Sequence, residues 1–353
     1  MKAAIWHAKR DIRIEDVPAP ARPGPDEALV EVALCGICGT DLHEYTDGPQ
    51  FLPHEGGGAA APAILGHEFC GTVVEVGAEV SRARPGDRVA VHPAVVDQSC
   101  RFCRVGLVQL CDRAVWLGLG APGGGLSKLV LVKNYQLFPL PDSLTFEQGA
   151  VVEPASVTMQ AISRGGVQPG DVVLITGGGP IGQLAAMNAR AAGAKEVFVS
   201  EVVPLRRDVA ARTANPTRVL DPTRDPVPEV LREATGGAGA DVAVECSGNE
   251  RALMDALAAT RKDGTVVQLA IFTRPISFHP ADHLTLHAKR LIGSLGYGWQ
   301  DYERVIELMA AGRLPAERIV TATLGLQDVV TRGIEDLIRP DTQHVKILVR
   351  PAD

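Results

Sequence analysis

Apolar and polar residues change rhythm once along this chain, near residue 150. Before that point the apolar runs are short and broken by proline and glycine. They cover Lys2 to Trp6, Ile12 to Val17, Glu27 to Leu34 and the alternating stretch Glu68 to Val76. Val89 to Val91 follows the turn Pro85-Gly-Asp-Arg, and Leu126 to Val132 follows the glycine-rich stretch Gly118 to Gly125. Short strands with frequent turn residues predict a small barrel or sandwich. Beyond residue 150, Val172 to Thr176 reads as a buried strand and Pro180 to Ala192 as a helix. Glu196 to Ser200 and Leu205 to Thr213 repeat the pair. Arg218 to Leu220, Asp241 to Glu245 and Thr265 to Ala270 continue the strand pattern with helical stretches between them. This alternation predicts a parallel sheet covered by helices. From about residue 295 the chain offers one helix, Asp301 to Ala311, and a closing apolar strand, His344 to Val349, which reads as a return to the first domain.

A length of 353 residues accommodates two domains with sizeable cores. The net charge of -7 argues against nucleic acid or an anionic membrane as partner. The opening Met1-Lys-Ala-Ala-Ile-Trp-His has no apolar signal region, and no run reaches the roughly 18 to 20 apolar residues of a membrane helix, so a cytoplasmic protein is expected. Seven cysteines stand at 35, 38, 70, 100, 103, 111 and 246. Cys38, Cys100, Cys103 and Cys111 lie near other ligand types, which in a reducing compartment favours metal over disulfides. Apart from a Gly/Ala run, Gly56 to Ala61, the chain shows no repeat or low-complexity segment.

The chemistry concentrates in Leu34 to Tyr45, where Cys38, Thr40, Asp41 and His43 fall within six residues. A thiol, a hydroxyl, a carboxylate and an imidazole so close together can hold a metal and pass protons. Gly66-His67-Glu68 adds ligands about thirty residues on. Cys38 and His67 form the best ligand pair, and Glu153, in Val151-Val-Glu-Pro-Ala, is a candidate third. Glu68 is a ligand or a supporting partner. Farther on, Gly177-x-Gly179-Pro180-Ile181-Gly182 follows a buried strand and opens a helix, the context in which such glycines cradle a dinucleotide pyrophosphate. Nineteen residues past Gly182, Glu201 is placed to accept ribose hydroxyls and to repel a 2′-phosphate, favouring NAD over NADP. Arg206 and Arg207 close behind it keep the phosphate-bearing cofactor open.

With these residues quoted, the chain resembles the zinc-dependent medium-chain alcohol and polyol dehydrogenases over essentially its whole length. Gly36-Ile-Cys-Gly-Thr-Asp-Leu-His43, Gly66-His-Glu-Phe-Cys-Gly71, Val152-Glu-Pro154 and Gly177 to Gly182 carry the match in order and spacing. Asp41-Leu-His-Glu-Tyr-Thr-Asp-Gly-Pro49 and His344-Val-Lys-Ile-Leu348 bring it nearest to the 2,3-butanediol (acetoin) dehydrogenases. The resemblance implies an α/β fold. A GroES-like β-barrel catalytic domain spans residues 1–154, with 296–353 returning to it, and a doubly wound parallel-sheet Rossmann domain for NAD spans 155–295. It implies zinc on Cys38 and His67 with a glutamate nearby, and Thr40 and His43 as the proton path while a hydride passes from the alcohol to the nicotinamide ring. The family often carries a second, structural zinc on four cysteines. Here Cys100, Cys103 and Cys111 keep three places and Asp97 stands in the first, a carboxylate that still suits zinc.

The expected substrate is a vicinal diol or its α-hydroxyketone, most closely 2,3-butanediol and acetoin. Sorbitol-like polyols or L-threonine are the alternatives on the same machinery, and a non-catalytic NAD-binding sensor is the alternative of another class. The family implies a homodimer or homotetramer, often formed along the Rossmann sheet edge, here Arg290 to Tyr297. Cys35, Cys70 and Cys246 read as small buried groups. His279, His283 and His287 read as a helix or loop surface, and His7, His54, His92 and His344 take the same reading. Trp116, Phe51, Leu119 and Tyr297 are candidates for lining a substrate pocket.

Overall fold

The computed structural model describes residues 1–52 and 63–352; His54 and the Gly56 to Ala61 run lie outside the described residues. The described chain forms two compact units. One holds residues 1–153, 298–310 and 320–353, the other residues 154–297 and 311–319.

In the first unit the strand Glu27–Gly36 is the hub. Its burial alternates, with Ala28, Val30, Val32 and Leu34 turned to the core, as a half-buried strand requires. It pairs antiparallel with Glu68–Val76, with Leu129–Lys133 and with the closing strand Lys346–Arg350. Arg88–Val91 and Leu137–Pro139 extend the sheet on one side, and Val320–Gly325 on the other. Register shifts at Leu29/Val30 and Val32/Leu34 bend the hub strand and curl the sheet over its core. Trp6, Phe69, Leu65, Leu126 and Ile347 are among the residues packed there. The last strand begins at Lys346, two residues later than the apolar pattern predicts, because Thr342 and His344 are taken up in a polar turn. Helix Trp299–Ala310 belongs to this unit, where the Tyr302 hydroxyl donates to the Val91 carbonyl at 2.8 Å.

The second unit is the expected parallel sheet. Its order is Arg218–Leu220, Glu196–Ser200, Val172–Thr176, Ala240–Glu245, Thr260–Gln268, Arg290–Gly293, and every pairing is parallel. The chain runs outward from Val172–Thr176 to one side and then returns to fill the other. The order therefore reverses between Val172–Thr176 and Ala240–Glu245, which is where doubly wound sheets open a binding crevice. Val173, Leu174 and Ile175 are fully buried, in keeping with a strand covered on both faces. Among the described residues no helix is long and apolar enough to cross a membrane.

Candidate active site

Residues 39–46 fold into a short helix that strand patterning does not reveal. Its cap explains it. The Asp41 carboxylate accepts from the Cys38 backbone N–H at 2.9 Å, and the Cys38 sulfur accepts from the Thr40 N–H at 3.5 Å. This reciprocal arrangement is a capping box with sulfur in the place of a hydroxyl. It fixes the thiol at the mouth of the helix. The other Asp41 oxygen faces His67 Nδ1 at 3.7 Å, and both side chains are buried. Burial raises the Asp41 pKa above the usual carboxylate value, although His67 opposes it. For His67, burial works against the charged ring, yet the neighbouring Cys38 sulfur and Asp41 carboxylate win and lift its pKa well above the ordinary value. Asp41 thus orients one ring nitrogen and leaves the other for a ligand role.

Glu68 is buried at the start of the next strand and bonds Lys346, whose ammonium is only 2% exposed. Lys346 Nζ also donates to the Ile37 carbonyl at 2.9 Å, immediately before Cys38. Burial alone would push this lysine toward the neutral amine. The Glu68 charge and the Cys38 sulfur outweigh it and raise its pKa. The pair fits because its neighbour is Gly36. A Cβ there would collide with Glu68 Oε2 and stand 3.0 Å from Lys346 Cε. Ligand atoms of Cys38, His67 and Glu68 lie within 4.8 Å of one another, close to the roughly 3–4 Å edges of a tetrahedral zinc site. A soft thiol, an imidazole and a carboxylate, backed by an aspartate on the histidine, suit zinc with an open position. Glu153, in the first turn of helix Val152–Gly165, is 7% exposed, and its charge acts on both His67 and Lys346. Thr40 Oγ1 lies 3.6 Å from the Cys38 sulfur. His43, three residues on and on the same helical face, is 44% exposed and meets Asp47 at 3.4 Å.

A second ligand set stands in the lobe that follows. Ligand atoms of Asp97, Cys100, Cys103 and Cys111 also lie within 4.8 Å of one another. Asp97 Oδ1 accepts from the Ser99 and Cys100 N–H groups, each at 2.9 Å, which leaves its second oxygen for a metal. The Cys100 sulfur accepts from the Cys103 N–H at 3.4 Å, and that contact lowers its pKa. Burial and the adjoining thiols push the Cys103 pKa up to about 12. Trp116 packs against this lobe together with Val96 and Val108. It is therefore part of the lobe's packing. Phe51 is exposed, whereas Leu119 and Tyr297 are buried.

In the second unit, Gly177 has φ +98°, and a Cβ at Gly182 would overlap the Gly177 carbonyl. At Gly179, by contrast, a side chain would point into open space. The turn is thus tight on its inner side and open where a pyrophosphate would approach the N-terminus of helix Pro180–Ala191. Pro180 opens that helix, with Ile181 and Gly182 in its first turn. Glu201 reaches back, Oε2 accepting from the Gly178 N–H at 2.7 Å and Oε1 from the Val203 N–H at 2.7 Å. Arg207 is committed to the Glu201 and Val202 carbonyls and to Asp221 at 3.1 Å, so it is not free for a phosphate. Arg206 is half-buried, with its Nε unpartnered.

The sequence pattern gives Asp41 no role separate from its neighbours and carries Lys346 only within the stretch His344 to Leu348. A lysine inside the apolar run Val345 to Val349 was the available signal.

Residues 24–142 match the family described as "Alcohol dehydrogenase GroES-like domain", and residues 180–311 match "Zinc-binding dehydrogenase". Among curated proteins, the (R,R)-butanediol dehydrogenase of Bacillus subtilis (strain 168) is 38% identical over 99% of this chain and 100% of its own. The sorbitol dehydrogenase of the same organism is 33% identical over 99% of this chain and 97% of its own. Among solved structures, the 2R,3R-butanediol dehydrogenase from Bacillus subtilis superimposes with a TM-score of 0.91 at 37% identity, covering 99% of both chains. Two family matches and two full-length relatives above 30% identity agree with the geometry of both units. The chain belongs to the zinc-dependent medium-chain alcohol and polyol dehydrogenases, GroES-like and Rossmann in fold, enzymes that work with zinc and NAD.

Proposed function

We propose that this chain is an NAD-dependent dehydrogenase of a vicinal diol, interconverting (R,R)-2,3-butanediol and acetoin. The reading is supported by full-length similarity to proteins named for that reaction. The observation that carries its chemistry is the buried Cys38–His67–Glu68 cluster braced by Asp41 and Lys346. In this reading the first unit is the catalytic domain and the second, with Gly177 to Gly182 and Glu201, holds the cofactor. Cys38, His67 and Glu153 hold zinc, and Glu68 exchanges between it and Lys346. When bound, the metal supplies a Lewis acid that acidifies the substrate hydroxyl. Thr40 receives the hydroxyl proton and His43 passes it to solvent, as their shared helical face and the exposure of His43 allow. Asp97, Cys100, Cys103 and Cys111 hold a second, structural zinc. The protein works in the cytoplasm as a homodimer or homotetramer through the sheet edge at Arg290–Gly293, beside which Leu295 is exposed.

A specific similarity favours a second reading, a sorbitol-type polyol. The deciding experiment is NAD reduction by purified, metal-analysed protein. It is offered each butanediol stereoisomer, sorbitol, threonine and 2-propanol, with NAD and with NADP. Selective turnover of the (R,R) isomer with NAD is expected. A preference for sorbitol would keep the site and overturn the substrate.

A further inference from the structure

Helix Pro180–Ala191 packs Leu184, Ala185, Ala186 and Met187 into the second unit, and directly before them it buries the polar Gln183 completely. Burying a primary amide is costly unless its groups find partners. Both ends of the Gln183 amide do. Its Nε2 donates to the Gly178 carbonyl at 2.8 Å, and its Oε1 accepts from the Thr213 hydroxyl at 2.7 Å. A carbonyl can only accept, so the amide nitrogen must face Gly178 and the amide oxygen Thr213. Thr213 is the last residue of helix Pro204–Thr213. The amide therefore ties the glycine turn to the helix that follows Glu201.

Gly178 is held at its other peptide group too, since its N–H donates to Glu201 at 2.7 Å. The consequence falls on the next peptide. In a trans peptide the C=O and the following N–H point in opposite directions. With the Gly178 carbonyl turned onto Gln183, the Gly179 N–H turns away from the buried amide. At Gly179 the turn is open, because a Cβ there would meet nothing within 4 Å. Among the described residues no acceptor meets that N–H, as is usual where a helix begins. Pro180 carries no N–H, so Gly179 supplies the first donor at this end of the helix. The opposite orientation is within reach. Neither Gly178 nor Gly179 has a Cβ, and turning the peptide over carries Gly179 from φ −68° to a positive φ, which glycine accepts readily. In that state a carbonyl would face an approaching anion in place of an N–H.

We propose that Gln183 is a positioning residue that locks the Gly178–Gly179 peptide with its N–H outward, so that the turn meets a pyrophosphate with a donor. The inference rests on the dinucleotide reading of the Gly177 to Gly182 turn. Apparent affinity falls in proportion to the fraction of chains whose turn is in the competent orientation. One hydrogen bond to a buried carbonyl holds that fraction high, and its loss changes a binding constant by roughly three- to tenfold.

The test compares dissociation constants for ADP-ribose and for adenosine, which lacks the pyrophosphate, on the zinc-loaded full chain and its variants. Gln183→Met removes the amide donor at similar volume. It should weaken ADP-ribose binding about three- to tenfold and leave adenosine within about twofold. Thr213→Val keeps Gln183 but removes the hydroxyl that orients it. It should weaken ADP-ribose in the same direction by a smaller factor, and Thr213→Ser, which keeps a hydroxyl, should match the parent. Should Gln183→Met fail to fold, this second pair of variants decides. Equal weakening of both ligands would show a merely structural residue and overturn the proposal, as would unchanged ADP-ribose binding. A parent protein that does not bind ADP-ribose would overturn the dinucleotide reading and this inference with it. Parent binding of ADP-ribose with no shift in the variants sinks this inference alone.

Discussion

Single side chains decide which carboxylate is free to serve a metal. Glu68 lies within ligand distance of Cys38 and His67 yet is bonded to Lys346, while Glu153 enters the same field from a different element. If Lys346 holds Glu68 back, Glu153→Gln should weaken zinc binding about tenfold or more, and Glu68→Gln should do so less. Lys346→Met frees Glu68 and should slow zinc release to a chelator, which competition with a chromogenic chelator would read. A Glu68→Gln protein that loses all its zinc while Glu153→Gln keeps it would reverse the assignment. His43 lends itself to a kinetic test. His43→Ala should slow alcohol oxidation by roughly 10- to 100-fold at low pH, less at high pH, with partial rescue by added imidazole. A pH–rate profile parallel to the parent's would remove it from the proton path. Cys38 and His67 stand out in the sequence because each sits in a short stretch rich in ligand types, and the fold brings their ligand atoms together. Lys346 does not, because its role depends on the last strand pairing beside Glu27–Gly36, a contact between residues about three hundred positions apart.

At the scale of elements, the cysteine lobe is the clearest case of geometry adding to pattern. The spacing of Cys100, Cys103 and Cys111 was readable, but whether Asp97 could replace a fourth thiol was not, since that depends on where its second oxygen points. Its first oxygen is used twice by the turn itself, and the four ligand atoms nevertheless converge. Asp97→Ala therefore removes a turn contact as well as a ligand. Metal analysis should fall from near two zinc ions per chain to near one, and the melting temperature by roughly 5 °C or more. Asp97→Asn separates the two effects. It keeps an acceptor for the turn and should still lose affinity for the second zinc. A parent carrying one zinc, unchanged in Asp97→Ala, would empty the lobe of its metal role. The parallel sheet was legible almost strand for strand because its central strands are buried on both faces and read as unbroken apolar runs. Helix Gly39–Thr46 was not, because its cap is a cysteine, and sulfur is not among the usual capping signals.

At the scale of the whole chain, the first unit is assembled from three separated stretches of sequence, and the candidate metal cluster draws on the first and the last of them. Cys38, His67 and Glu68 come from the first 70 residues, but Lys346 arrives with the final strand. That strand is clasped between Glu27–Gly36 and Val320–Gly325. Without it, the Glu68 carboxylate would stay buried beside the Cys38 sulfur and Glu153 with its cation removed. Breaking a buried pair by deleting one partner costs about 3–5 kcal/mol, and the hub strand would also lose a hydrogen-bonded neighbour. The second unit draws only nine residues, 311–319, from beyond residue 297, so its parallel sheet needs nothing after residue 341. A chain ended at Asp341 should therefore lose zinc from the Cys38 cluster and all turnover, while ADP-ribose binding, which calls on Gly177 to Gly182 and Glu201, should persist within about tenfold. Zinc retained by the shortened chain would show that the last strand is dispensable to the cluster. Loss of zinc together with ADP-ribose binding would show instead that the two units fold as one cooperative whole.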